Sequence, residues 1–375
     1  MKNKIIFFHP YFRNGGVERT NIRLSRYFIE KGYEVEFLSL FFEGQIVDEA
    51  KACEIRLVPL GEKRTRKAIT KIRKYIKQEK KSARITIISC QNYANLVMWF
   101  ALVGIRDGVK LIFTERNHPV SLQQYAPGLK SILTILLMKC IYRHADKVVA
   151  ISQELADDLS KMVHVPVSCI YNPTYSEDFS KMAEEEVADQ WFEQDKPIVL
   201  SVGRLEKQKD FVTLIKAFAK VKACMECRLV LVGDGSQREK LEKIVDNLNL
   251  KENVKILGFD PNPYKYMVRA DLFVVSSIYE GLCNTVIEAT ALKTPCVVTD
   301  CKSGPKEILL YGDGGKVVNV GDVDAMADAI LWVLNHENDA RLLMEKAYRG
   351  LSRFTLEATG SRYLDIIENN ISGEI

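Results

Sequence analysis

The sequence predicts an α/β protein made of two Rossmann-like, doubly wound parallel sheets, and three observations lead there. Short apolar runs alternate with amphipathic helical patterns over most of the 375 residues, the order expected when helices cover a parallel sheet. The alternation lapses in the acidic, polar stretch Ser176–Glu193 and restarts at Pro197. Several apolar runs empty into turns rich in glycine and charge, which is where doubly wound sheets hold their ligands. The length suffices for two domains. The expected division is a first domain over 1–180, a linker over 181–195 and a second domain over 196–357, with a helix at about 358–375 packing back on the first.

Composition narrows the classes. Hydrophobic content of 47% and charged content of 27% are ordinary for a soluble domain, and a net charge of +4 is too small to argue for nucleic acid. No apolar run reaches the roughly 18 residues that span a bilayer. The start, Met1–Pro10, has an apolar part of four residues and no small-residue cleavage site, so it reads as a first strand rather than a signal peptide. Nine cysteines, scattered mostly through apolar segments, suit reduced core thiols in a cytosolic protein. Cys224 and Cys227 have the spacing of a metal or redox pair, but no second pair accompanies them, and no metal is expected there.

In the first half, Lys4–Phe8 reads as a strand, Asn14-Gly15-Gly16 as a turn and Val17–Lys31 as an amphipathic helix. Gly15 and Gly16 fall at a strand's carboxyl end, where glycine lets backbone approach a ligand and a helix start adds N–H donors. A plain tight turn reads equally well. Strands at Glu34–Leu40, Ile55–Leu60, Ile85–Ser89, Leu111–Thr114 and Lys147–Ile151 complete the set.

Between them, Gly61–Arg84 carries Lys63, Arg64, Arg66, Lys67, Lys71, Arg73, Lys74, Lys77, Lys80, Lys81 and Arg84 against only Glu62 and Glu79. Ile69, Ile72, Tyr75 and Ile76 recur at helical spacing, giving a basic helix one apolar face. Such a helix is expected to lie on an anionic leaflet or hold a pyrophosphate head group; the alternative is a surface helix packed on the sheet by those isoleucines. The strand Leu111–Thr114 empties into Glu115, Arg116, Asn117 and His118. That position makes His118 a site candidate as well as an ordinary structural histidine. The apolar helix Ser131–Tyr142 is too short to cross a bilayer and reads as core or as a lipid-facing groove.

The second half restarts with the strand Pro197–Val202, then Gly203-Arg204-Leu205-Glu206-Lys207-Gln208-Lys209-Asp210 and a helix over Phe211–Lys222. The planar fork of Arg204 and the mobile ammonium of Lys209 suit phosphate oxygens. Further strands fall at Arg228–Val232, Val254–Leu257, Leu272–Ser276, Pro295–Thr299 and Gly315–Asn319. Gly233 and Gly235 mark a turn that would admit a flat base or ribose, and Phe259 a strand end that would border the base. Ser303-Gly304 adds another close approach. Asp322 and Asp324 read as a helix start, where acids favour the dipole. The charge of a diphosphate therefore falls to Arg204, Lys209 and helix N–H groups rather than to a divalent metal.

The stretch Tyr279–Ala289 says most. Gly281 breaks the strand pattern and Asn284 is suited to cap a helix whose first residues, Thr285, Val286 and Ile287, would offer N–H groups to an anion. Glu280 and Glu288 flank that start. Carboxylates repel phosphate, so these two would meet hydroxyls. Phosphate donors between hydroxyl acceptors describe a nucleotide-sugar site; a strand–turn–helix unit with solvated acids is the plainer alternative.

Glu280 and Glu288 also resemble the paired-glutamate signature of retaining glycosyltransferases of family 4, with the GT-B fold. Gly15-Gly16-Val17-Glu18-Arg19, Glu115-Arg116-Asn117-His118, Gly203-Arg204-Leu205 with Lys209, and Gly233-Asp234-Gly235 precede them in family order, so the resemblance covers nearly the whole chain. It implies two Rossmann-like domains facing across a cleft and transfer with retention at the anomeric carbon. It further implies that Arg204 and Lys209 hold the diphosphate and stabilise its leaving charge, that Glu288 binds ribose hydroxyls and Glu280 those of the sugar, and that His118 contacts the donor sugar from the opposite domain. Gly16 would lie under the phosphates, and Gly281, Leu282, Asn284 and Thr285 along the donor. Arg116 stands where some relatives have histidine, which leaves the acceptor-side contacts of Arg116 and Asn117 open.

The basic helix is similar to those of relatives that extend lipid-linked or lipopolysaccharide glycans at the cytoplasmic face of the membrane. The resemblance thus implies transfer of a hexose or N-acetylhexosamine from a UDP-sugar, or a GDP-sugar, to a membrane-bound glycan acceptor, with no cofactor or metal. Lys63, Arg64, Arg66, Lys67, Lys71, Arg73 and Lys74 would hold the protein peripherally on an anionic surface. The alternatives are a same-fold sugar synthase or phosphorylase with a soluble acceptor, and a non-catalytic nucleotide-sugar-binding subunit.

Overall fold

The computed structural model describes residues 2–13, 15–118, 128–192 and 196–368. The chain divides into two compact units, Met1–Pro173 with Phe354–Ile375, and Thr174–Arg353.

In the first unit, β1 (Lys2–His9), β2 (Glu34–Ser39), β3 (Arg56–Pro59), β4 (Ala83–Cys90), β5 (Val109–Glu115), β6 (Lys147–Ala150) and β7 (Val167–Cys169) form a parallel sheet in the order β3-β2-β1-β4-β5-β6-β7. Helices cover both faces, so its strands are apolar on both sides. Ile6 and Phe8 of β1 pack into one core with Ile85 and Ile87. Ile5 and Phe7 pack into the other with Phe37 and Ile88. β7, only three residues long and half-buried, has no apolar run to announce it.

The basic helix spans Ile69–Glu79. Ile72 and Ile76 are wholly buried in the first unit's core, with Ile69 and Tyr75 packed against them. The Tyr75 hydroxyl donates to Glu36, whose carboxylate also takes the buried Lys4 ammonium at 2.6 Å. The apolar face expected to meet a leaflet is therefore occupied by the sheet, because two isoleucines gain more from a packed core than from an open surface. Arg73 is turned inward too, donating to the carbonyls of Ala101 and Val103, and the exposed Lys71 is tied to Leu60 O at 2.8 Å and to Glu62 at 2.9 Å.

The helix Leu356–Glu368 belongs to the first unit; residues 369–375 lie outside the described residues. It packs on the helix Gly16–Glu30, where a Cβ at Gly360 would stand 2.3 Å from the Tyr27 ring. Lys110 secures its end by donating to Ile366 O at 3.0 Å and Ile367 O at 2.7 Å.

The second unit holds β8 (Ile198–Val202), β9 (Arg228–Val232), β10 (Val254–Gly258), β11 (Leu272–Val275), β12 (Cys296–Thr299) and β13 (Lys316–Val318), parallel and ordered β10-β9-β8-β11-β12-β13. The described part of the stretch expected as a linker lies within this unit. Glu185 pairs with Lys265 at 2.5 Å and Asp189 with Lys255 at 2.6 Å, while Phe179 stacks on Tyr264 at 4.6 Å. Its acids have lysine partners far along the chain, which a local reading of acidity cannot see. Among the described residues no helix is long and apolar enough to cross a membrane.

Candidate active site

In each sheet the strand order reverses once, between β1 and β4 and between β8 and β11, and such reversals open a ligand crevice at the strands' carboxyl ends. In the second unit, the loop after β8 and the loop after β11 flank that crevice and are stitched together. Ile278 N donates to Gln208 O at 2.8 Å, Gln208 Nε2 to Tyr279 O at 2.8 Å, and Ser276 Oγ to Lys209 O at 2.7 Å.

At the centre Lys209 Nζ lies 2.6 Å from Glu280 Oε1, which also accepts from Ser277 Oγ at 2.6 Å. Burial pulls the lysine's pKa down, but the adjacent Glu280 carboxylate more than offsets it, so Lys209 titrates above an ordinary lysine. Lys209 is thus a fixed cation, not the mobile point charge its place in a loop suggested. Gly203 makes room for it, since a Cβ there would stand 3.2 Å from Lys209 Cε. Arg204, one residue on, is exposed and has no ion-pair partner among the described residues.

The helix after the Gly281 turn spans Asn284–Ala291, and its cap is Cys283 in the left-handed region at φ 54°. Asn284 is therefore the first helical residue and Thr285 the second, one position earlier than expected, because the turn closes at Cys283. The Val286 N–H is already taken by Cys283 O at 3.0 Å. Burial pushes the Cys283 thiol up to about 12, so it packs as a neutral side chain rather than serving as a thiolate. Glu288 is half-buried one turn further on, and Gly281 and Leu282 are buried. Gly304, at φ 100°, presses on that turn: a Cβ there would come within 2.6 Å of Leu282 Cα.

Gly233 and Gly235 do something other than admit a base. A Cβ on Gly233 would stand 1.9 Å from Gly203 O, and one on Gly235 2.6 Å from Leu205 O. The space that glycine leaves is filled by the neighbouring loop's backbone, so these residues dock the loop after β9 under the one bearing Arg204. Phe259 lies beyond the end of β10 with 73% of its surface exposed.

In the first unit the carboxyl ends of β1, β4 and β5 meet in a buried polar cluster. Arg116, only 4% exposed, donates from its two terminal nitrogens to Asn172 Oδ1 and Asn21 Oδ1, both at 2.7 Å. Asn21 Nδ2 lies 2.9 Å from His9 Nε2 and 3.2 Å from Cys90 Sγ. Burial and the Arg116 charge hold His9 neutral, with its pKa lowered to about 3. Arg116 is thus a buried fastener of its loop rather than a surface contact for an acceptor; its neighbour Asn117 is exposed.

His118 is buried, with Nε2 3.0 Å from Asp158 Oδ2. Burial raises Glu115 to about 8, and it accepts from Asn95 Nδ2 at 3.0 Å and from the Tyr142 hydroxyl. Gly15 precedes the helix in extended backbone, and Gly16 begins it with open space where a Cβ would point; Asn14 lies outside the described residues. Asn21, Asp158, Asn95, Tyr142 and Ser277 all escape a sequence reading. Three of them sit inside helices and Tyr142 directly follows one, all with distant motif partners, and only Ser277, three residues before Glu280, carries a local signal.

On the basic segment, Lys63, Arg64, Arg66, Lys67 and Lys74 are exposed. Among the described residues no group of three or more His, Cys, Asp or Glu side chains stands close enough to hold a metal ion.

Two Rossmann-like units of this order are the frame on which GT-B glycosyltransferases are built. Residues 14–177 match the model of Glycosyltransferase Family 4, and residues 182–350 that of Glycosyl transferases group 1. A Campylobacter jejuni N-acetylgalactosamine-N,N'-diacetylbacillosaminyl-diphospho-undecaprenol 4-alpha-N-acetylgalactosaminyltransferase is 31% identical over 271 residues, 71% of this chain and 71% of that one. An uncharacterised glycosyltransferase of Methanocaldococcus jannaschii is 34% identical over 211 residues, 55% of this chain and 52% of the relative, so the match spans about half of that relative's length. The crystal structure of Anabaena HepE in complex with UDP and glucose shares the fold with a TM-score of 0.78 at 19% identity, covering 98% of this chain and 99% of that one. The chain belongs to the family 4 glycosyltransferases of GT-B fold.

Proposed function

We propose that the protein transfers a hexose or N-acetylhexosamine from a UDP-sugar, with retention, to a lipid-linked or lipopolysaccharide-type glycan at the cytoplasmic face of a membrane. The observation that carries this is the Lys209–Glu280 pair across the β8/β11 crevice, with Arg204 in the same loop as Lys209 and Glu288 one helical turn beyond. An incoming diphosphate offers Lys209 a second anion. As the phosphate–sugar bond breaks, the two cations meet the charge that develops on the leaving oxygen, without a metal. Glu280, held by Ser277, accepts from sugar hydroxyls, and Glu288 from ribose hydroxyls. His118 is held by Asp158 beyond the carboxyl end of β5 in the first unit. The Campylobacter relative's undecaprenol-linked acceptor supports the acceptor class.

The test is transfer from labelled UDP- and GDP-sugars to a bacterial lipid extract, with the product's anomeric configuration read by NMR. An α-linked product from an α-linked UDP-sugar is expected. An inverted product, or transfer only to soluble sugars, overturns the reading, and donor binding without turnover on any acceptor would point to a non-catalytic subunit.

A further inference from the structure

Among the described residues, seven of the first unit's eight exposed large hydrophobic side chains sit on two helices, Asn92–Leu102 with its cap Val103, and Leu129–Ile141. The second of these exposes Leu129, Ile132, Leu133 and Leu136, spaced i, i+3, i+4, i+7, with Leu129 83% exposed and Leu133 and Leu136 each 54%. Its other side, through Ile135, Met138 and Ile141, is buried. A helix apolar all round belongs in a core or in lipid, and here only half of it has a core. Lys130 Nζ lies 5.7 Å above the Tyr93 ring, and Trp99 packs on Phe100 at 4.9 Å and on His144 at 5.6 Å. The two helices pack side by side and each presents exposed apolar side chains, with Tyr93 and Phe100 on the first.

The charge on this apolar strip's own helices and on their basic neighbour up to Gln78 has one sign, while Gln153–Val163, which also packs on Leu129–Ile141, carries Glu154, Asp157 and Asp158. The helix Asn92–Leu102 has no charged residue, and Leu129–Ile141 has two lysines and no acid. The helix Ile69–Glu79 lies alongside, bound through Arg73 to Val103 O. From Lys63 to Gln78 there are eight Lys or Arg and no Asp or Glu.

We propose that this face docks on an anionic lipid leaflet, the apolar strip entering the interfacial region and the exposed Arg66, Lys67 and Lys74 meeting head groups. A second copy of the chain is the wrong occupant, because it would bring the same cations against these. Aromatic side chains at such a strip suit the head-group level. The inference deepens the proposed membrane-bound acceptor and moves the contact from the isoleucine face of Ile69–Glu79, which is core, to the two neighbouring helices.

The experiment is sedimentation with vesicles of phosphatidylcholine alone and of phosphatidylcholine with phosphatidylglycerol, with no donor or acceptor present. The full chain should pellet with the anionic vesicles only. The triple variant Leu129→Ser, Leu133→Ser, Leu136→Ser should partition at least about tenfold more weakly, and Arg66→Glu with Lys67→Glu should lose the preference for anionic lipid. Thermal midpoints of both should stay at the wild-type value, since every altered side chain is exposed. A wild-type chain that remains in the supernatant, a triple variant that pellets equally well, or a wild-type dimer that the triple variant dissociates in light scattering overturns the proposal. Transfer measured in detergent separates the two readings: vesicle binding without transfer sinks the function and leaves the surface, and transfer without vesicle binding does the reverse.

Discussion

Lys209 Nζ and Glu280 Oε1, 71 residues apart in sequence and 2.6 Å apart in space, tie the loop after β8 to the loop after β11 at the point where the strand order reverses. Each is the other's counter-ion in a poorly hydrated place, with side chains 17% and 9% exposed. Removing one leaves the other buried and uncompensated. Lys209→Met should therefore lower stability by up to about 3 kcal/mol and transfer by on the order of 10²- to 10³-fold. Adding Glu280→Gln should recover much of the stability and none of the activity. Urea denaturation with a transfer assay on the four members of the cycle checks this; an unchanged midpoint in Lys209→Met would mean the pair is solvated.

The glycines separate by what a methyl group would meet. Gly233→Ala drives a Cβ into Gly203 O from a backbone at φ 146°, so it should cost more than about 2 kcal/mol and displace the Arg204 loop. Gly16→Ala meets open space at a helix start and should change stability by less than about 1 kcal/mol. Thermal unfolding and donor titration of the two variants give the comparison.

Two buried groups set opposite pH slopes. His9 titrates at about 3 against an ordinary 6.5, so its contribution to stability is whole above pH 6.5 and is lost as pH falls toward 3. Glu115 titrates at about 8 against 4.5, so its contribution is whole below pH 4.5 and is lost as pH rises through 8. Each slope is at most about 1.4 kcal/mol per pH unit. His9→Gln should flatten the acid side of the stability profile and Glu115→Gln the alkaline side, read as urea midpoints from pH 4 to 9. A Glu115→Gln variant no more resistant than wild type at pH 9 would show that the carboxyl is already ionised without penalty.

Arg116 should behave as a structural residue. Arg116→Ala removes the guanidinium bonds to Asn21 and Asn172 inside a buried cluster and should cost about 2–4 kcal/mol. Its effect on acceptor KM should appear only together with that loss of stability; an acceptor defect in a fully stable variant would return Arg116 to the binding surface.

Much of this was legible in order along the chain. Strands such as Arg228–Val232 are apolar on both faces, and the turn at Gly281 with Glu280 and Glu288 around it is a local pattern that needs no partner to be recognised. The fold class followed from that local periodicity, and the family from the motifs the chain resembles, read in order. What a side chain does once there depended on residues brought close only by the sheet. Lys209 is a fixed cation because Glu280 stands beside it, and Gly233 is a packing residue because Gly203 O fills its space. Arg116 is buried because Asn21 and Asn172 reach it from other elements, and the isoleucines of the basic helix are core because the sheet takes them, which leaves the exposed apolar strip to Leu129–Leu136. Hydrophobic patterning is written residue by residue, since burial repeats with the helix or strand period. Ion pairing, burial of charge and the choice of which apolar face goes inside are written between distant residues, and only the folded chain brings those together.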